Sequence, residues 1–123
     1  MTTNSMQLLI AVINEPEKLD EILAGFIEIG ITGATILSSE GMGALLSHDI
    51  PVFAGLKTLI NRSRPQNRTI LSVVDESLVD PAIALLQEVC GNLAVPATGI
   101  AFTIPIGRVI GLAPELGEDR EAI

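Results

Sequence analysis

Residues 6–13 constrain the fold most, because they form an almost wholly apolar run of Leu, Ile, Val and Ala broken only by Gln7. The run is too short for a helix and ends at Asn14, so it reads as a strand. Both of its alternating sets are apolar, Leu9, Ala11 and Ile13 on one side and Leu8, Ile10 and Val12 on the other. A strand of this kind has no face made for water, and both faces of its sheet need cover.

The next residues supply cover for one face. Asn14 followed by Glu17 has capping-box character, and Pro16 suits a first helical turn. Leu19, Ile22, Leu23, Phe26 and Ile27 then make an apolar stripe at helical spacing. Gly30 stops this helix as a left-handed cap, and residues 31–37, with Thr32, Thr35 and Ile36, read as a second strand. A third β-rich run covers 69–74 and ends at Asp75, Glu76 and Ser77, all helix-start residues. Val79, Ile83, Leu86 and Cys90 keep helical spacing up to Gly91, with Pro81 leaving the start of this helix open. Residues 99–106 form a fourth strand, in which Pro105 has no donor and so suits an edge or a strand end.

The order is strand, helix, strand, repeated once, with a glycine after each helix. This pattern predicts an α+β, ferredoxin-like βαββαβ domain with a four-stranded antiparallel sheet and both helices on one face. The other face then stays open in a lone subunit. Burying its side chains is worth about 1.5 to 3 kcal/mol each, so the pattern predicts a homo-oligomer packed through that face.

The 123 residues suit one domain, with 1–5 and 114–123 as flexible tails, and 48% hydrophobic residues suffice for a core. Charged, polar or glycine residues interrupt every apolar run before it reaches bilayer length, and residues 1–5 have no basic start or apolar signal core, which predicts a cytoplasmic protein. The net charge of −8 argues against general nucleic-acid binding, which draws its affinity from Lys and Arg. Lys57, Arg62, Arg64 and Arg68 nevertheless lie in one short segment, which reads as an anion or partner patch, or simply as a solvated face.

Residues 38–67 make a connection well past the 12 to 15 or so residues beyond which loops are usually functional, disordered or hold a further element, and the plain alternative is a flap that seals a subunit boundary. Ile50, Phe53, Leu56, Leu59 and Ile60 have rough helical spacing, with Asp49 as cap and Pro51 in the first turn. Ser47, His48 and Asp49 are the residue types of a hydrolytic triad, but sequence neighbours do not normally converge in those roles, and a turn into a helix is the better reading. Glu40, His48 and Asp49 offer weak metal-ligand material, and a lone His is more often a surface residue. Cys90 reads as a buried structural thiol.

The residues 17–23, then Ile29, Gly30, Ile31, Thr32, Gly33, Ala34 and Thr35, then Gly41, Met42 and Gly43, resemble the opening of the nitrogen regulatory protein P-II signalling family. Residues 79–83 are similar to the family's second helix, and residues 98–106 to the glycine-led strand that closes its core. The resemblance implies a non-enzymatic homotrimer that binds a small-molecule effector in clefts between subunits. It implies also that the loop after the second strand changes shape with ligand and touches a protein target. The ligand would be an adenine nucleotide or another small anion, with no cofactor certain and no metal.

By the same match Gly41, Met42, Gly43, Gly99 and Arg108 are the candidate ligand-binding residues, the glycines because they let backbone amides approach a ligand closely. The chain departs from the family pattern at Ile100 and Ala44, where a Lys and an Arg are usual, and at Gly111 and Ala113, where an Arg pair is usual. It also has no Tyr for the loop modification known in some members. The familiar grip on ATP therefore does not carry over, and Arg62, Arg64 and Arg68 could supply replacement charge. Two rival readings are a small-ligand or metal-binding trimer without a signalling partner and a small ferredoxin-like enzyme.

Overall fold

The structure is a computed structural model that describes residues 5–42, 66–94 and 98–112. Strand β1 (Met6–Ile13) leads through a short 3-10 turn, Pro16–Lys18, into helix α1 (Leu19–Ile29) and strand β2 (Thr35–Ser39). Strand β3 (Asn67–Asp75), a second 3-10 turn (Glu76–Leu78), helix α2 (Val79–Cys90) and strand β4 (Gly99–Ile106) complete the second half. The sheet order is β2-β3-β1-β4 and every pairing is antiparallel, as the ferredoxin-like pattern requires.

Alternation along the strands divides the sheet into two unlike faces. Leu9, Ala11 and Ile13 of β1, with Ile70 and Val74 of β3, pack under Ile22 and Phe26 of α1 and Ala82 and Leu86 of α2. Leu8, Ile10 and Val12 point the other way, and across the ladders they meet Val73, Leu71 and Thr69 on one side and Ile104, Phe102 and Ile100 on the other. Ile100, Phe102 and Ile104 are 54%, 42% and 46% exposed. The face opposite the helices is thus a continuous apolar band open to water in a single chain. Pro105 lies in β4, an edge strand, where a missing N–H donor is tolerated.

Three expectations are corrected by the packing. The 3-10 turn before α1 has Glu15 rather than Asn14 as its N-cap, with no side-chain cap bond from Glu15, and α1 itself has Lys18 there. Lys18 ties this turn to the rest of the fold, through an ion pair to Glu15 at 3.3 Å and a hydrogen bond donated to the Val89 carbonyl at 2.9 Å. Ile27 is 53% exposed, because α1 turns Ile22 and Phe26 to the core and sets Gly25 against Leu85 of α2. Strand β2 starts four residues later than its β-propensity suggests and runs to Ser39. Ile31 is needed in the core just after the Gly30 cap, so residues 31–34 cannot yet lie in the ladder.

Other signals are realised as read. Gly30 is left-handed (φ 106°), its N–H bonds the Ile27 carbonyl, and Ile31 N–H bonds that of Phe26 at 2.8 Å. Asp75 accepts from Ser77 N–H at 2.8 Å at the start of the second 3-10 turn. Cys90 is half-buried on α2, where burial raises its thiol pKa, the Lys18 ammonium lowers it, and Glu15 and Glu21 raise it further.

Candidate functional site

The ladders decide which candidate residues share an end of the sheet. Ser38 is opposite Arg68, Arg68 opposite Ile13, and Ile13 opposite Gly99, so one row crosses all four strands. With strands about 4.8 Å apart, Ser38 and Gly99 stand roughly 14 Å from each other across this row. Gly41 and Met42 follow directly after β2 at the same end. The structure therefore gathers Gly41, Met42, Arg68 and Gly99 at one end of the sheet. Gly43, Lys57, Arg62 and Arg64 lie outside the described residues, as do His48, Asp49 and Ala44.

Polar side chains tie this end together. The Ser39 hydroxyl bonds the Asn67 side-chain carbonyl and lies 2.8 Å from the Thr69 hydroxyl. Arg68 is half-buried in β3 rather than in the connection before it, and its Nη1 donates to the Asn67 carbonyl at 3.3 Å. Gly99 has φ +150°, and a Cβ there would stand 2.7 Å from the Val12 carbonyl oxygen, so a backbone constraint by itself demands glycine. Met42 is 76% exposed and Ile100 54% exposed, so this end presents apolar as well as basic groups.

Arg108 belongs to the opposite end. Ile106 pairs with Met6, and Met6 also with Asp75, which places Ile106, two residues before Arg108, roughly 23 Å along the strands from the Gly99 row. Arg108 lines an open cleft of about 350 Å³ with Ser5, Met6 and Gln7. Met6 also borders a second cleft of about 270 Å³, between the last turn of β3 and residues 31–34, whose rim includes Thr32, Thr35, Asp75 and Leu112. On the far side of the same segment, Leu23, Phe26, Ile27 and Ile36 line a smaller apolar hollow of about 200 Å³. Sequence reasoning did not single out residues 31–34 as a cleft wall. The cavity exists only because β2 leaves β3 beyond the Thr35 and Leu71 pair, and nothing local signals that separation.

Over residues 6–115 the sequence matches the family profile described as Nitrogen regulatory protein P-II. The chain belongs to the P-II family. The match spans both halves of the fold and the connection between them. Among solved structures, the fold is similar to a crystal structure of Arabidopsis thaliana PII bound to citrate. The likeness covers 84% of this chain and 78% of that one at a TM-score of 0.58, with 16% sequence identity, and so shows a shared fold. No curated protein matches the sequence closely enough to count as a relative. The candidate residues thus fall into separate places: Gly41, Met42, Arg68 and Gly99 at one end of the sheet, and Thr32, Thr35 and Arg108 along two clefts that meet at Met6.

No helix among the described residues is long and apolar enough to cross a membrane.

Proposed function

We propose that this chain is a homotrimeric regulatory subunit of the cytoplasm that takes a small effector in clefts between subunits and relays its presence to a protein target through residues 38–67. The observation that carries this reading is the open sheet face. Ile10 lies between Phe102 and Leu71, and Leu8 between Ile104 and Val73, so a lone chain exposes an apolar band on the side opposite its helices. Packing copies through that band removes it from water, at about 25 cal/mol per Å² of apolar surface. The same packing supplies a reason for two separated half-sites. The Gly41 and Gly99 end of one subunit and the clefts beside Met6 of its neighbour, lined by Thr32, Thr35 and Arg108, complete one site.

The effector in this reading is a small anion or an adenine nucleotide. Citrate in the Arabidopsis relative supports the anion class, and the half-buried Arg68 and exposed Arg108 are the described cations that reach the two ends. Such a protein acts by binding and not by turnover. Any ligand that prefers one state of the connection between β2 and β3 shifts its population and thereby its docking to a target. Lys57, Arg62 and Arg64 extend the basic patch along that connection.

Native mass spectrometry of the purified chain, coupled to a thermal-shift screen with ATP, ADP, citrate, 2-oxoglutarate and bicarbonate, tests the reading. The expected result is a trimer whose melting temperature rises with at least one of these, because a ligand that binds the native state stabilises it by mass action. A monomer at micromolar concentration, unmoved by the whole panel, overturns it.

A further inference from the structure

Among the described residues, the buried polar side chains are Ser72 and Asn67, both in β3. A buried polar group costs stability unless it is hydrogen-bonded, so each needs a partner worth its place. Both find that partner on the same neighbour. The Ser72 hydroxyl donates to the Gly33 carbonyl at 2.6 Å, just before β2 begins. Asn67 accepts from the Ser39 hydroxyl at the last residue of β2, with Thr69 joining at 2.8 Å. The two anchors thus bracket a five-residue strand that has a ladder on only one side.

What β2 joins makes this arrangement informative. Its leading segment, residues 31–34, is the wall shared by the two clefts on either side of it. Its trailing end runs into Gly41, whose Cβ position would lie 3.9 Å from the Asn67 side-chain nitrogen. Strand β3 is the fixed reference, since it pairs with β1 over its whole upper length, from Asp75 to Arg68. A one-residue slip of β2 would turn Ile36 out of the core, so the strand can shift only as a unit and by small amounts.

We propose that Ser72 and Asn67 are positioning residues that make β2 a stiff link, roughly 17 Å long, between the cleft wall at 31–34 and the residues Gly41 and Met42. Displacement of the wall at one end is then felt at the other. This deepens the ligand-to-loop relay proposed above and rests on it for its biological meaning, although the mechanical coupling is a property of the chain itself. Ser72 sets where the wall stands by holding the Gly33 carbonyl, and Asn67 sets where the chain leaves the sheet by holding Ser39.

The test is amide exchange and backbone amide NMR on the full chain, with Ser72→Ala, Asn67→Ala and the hydroxyl-retaining Ser72→Thr. Loss of one buried hydrogen bond is expected to speed exchange at the near end of β2 about tenfold. The decisive readout is the far end. Ser72→Ala is expected to move the amide resonances of Ser39 and Gly41 beyond their linewidths, Asn67→Ala those of Thr32 and Gly33, and Ser72→Thr neither pair. Shifts confined to the near end, or a uniform rise in exchange that includes residues 9–13, overturn the proposal. No ligand is needed, so an empty effector screen with reciprocal shifts would sink the regulatory reading alone, and a productive screen without them would sink this inference alone.

Discussion

The carbonyl oxygen of Val12 lies 2.7 Å from the point that a Cβ on Gly99 would occupy, and Gly99 itself has φ +150°. Both facts fix glycine at the first residue of β4. Gly99→Ala is expected to cost about 1 to 3 kcal/mol through backbone strain and the clash with β1, read as a fall in the urea midpoint. Gly33→Ala meets nothing within 4 Å, and its midpoint is expected to stay within about 0.5 kcal/mol of wild type.

Neighbouring residues on α1 should respond in opposite ways. Phe26 is 1% exposed and Ile27 53%. Phe26→Ala is expected to cost about 3 to 5 kcal/mol by opening a cavity in the core, while Ile27→Ala stays within about 0.5 kcal/mol. Chemical denaturation of the two variants side by side checks the contrast.

Gly25 lets the helices approach closely, since a Cβ there would stand 2.5 Å from Leu85 Cδ2. A single methyl is accommodated by moving the end of Leu85, but Gly25→Leu is expected to cost about 1 to 3 kcal/mol by overpacking the α1 and α2 contact. The measurement is the melting temperature, with Leu85→Ala in the same chain expected to recover part of the loss.

Cys90 has its thiol pKa raised, first by burial, against the lowering influence of Lys18. Because the folded state holds the proton more tightly than the unfolded one, this group's contribution to stability is complete below the unfolded thiol pKa. It is lost as pH rises through the folded value. The expected outcome is slow alkylation near neutral pH, with a pH midpoint above that of an unstructured peptide. Lys18→Met removes the nearby positive charge and should move the midpoint higher still.

The open face predicts a concentration-dependent assembly. Phe102→Asp puts a carboxylate in the apolar row beside Ile10, and the expected outcome is dissociation to monomers by light scattering with the far-ultraviolet circular dichroism retained. An unchanged assembly would show that copies meet elsewhere.

Much of the fold was legible because its signals are local. The glycine caps, the spacing of Val79, Ile83, Leu86 and Cys90, and the bounds of β1 and β4 each follow from a few adjacent residues, and the structure places helix α2 and both strands where those signals put them. The site was less legible. Gly41, Met42 and Gly99 could be picked out through the resemblance to the P-II family, yet the cleft wall at 31–34 could not, because Ile31 and Thr32 look like strand residues. Ile27 looked like core for a similar reason: its spacing fits the stripe, and only the close approach of Gly25 to Leu85 sets the rotation of α1.

Alternation in β1 determined from the sequence alone that this chain builds a sheet apolar on both sides, since successive side chains must point to opposite faces whatever else the chain does. Tertiary structure decided which end of that sheet each candidate residue occupies and where β2 joins and leaves it. Those outcomes depend on ladder register between segments such as 35–39 and 67–71, and pairing across so many intervening residues leaves no trace in any local stretch.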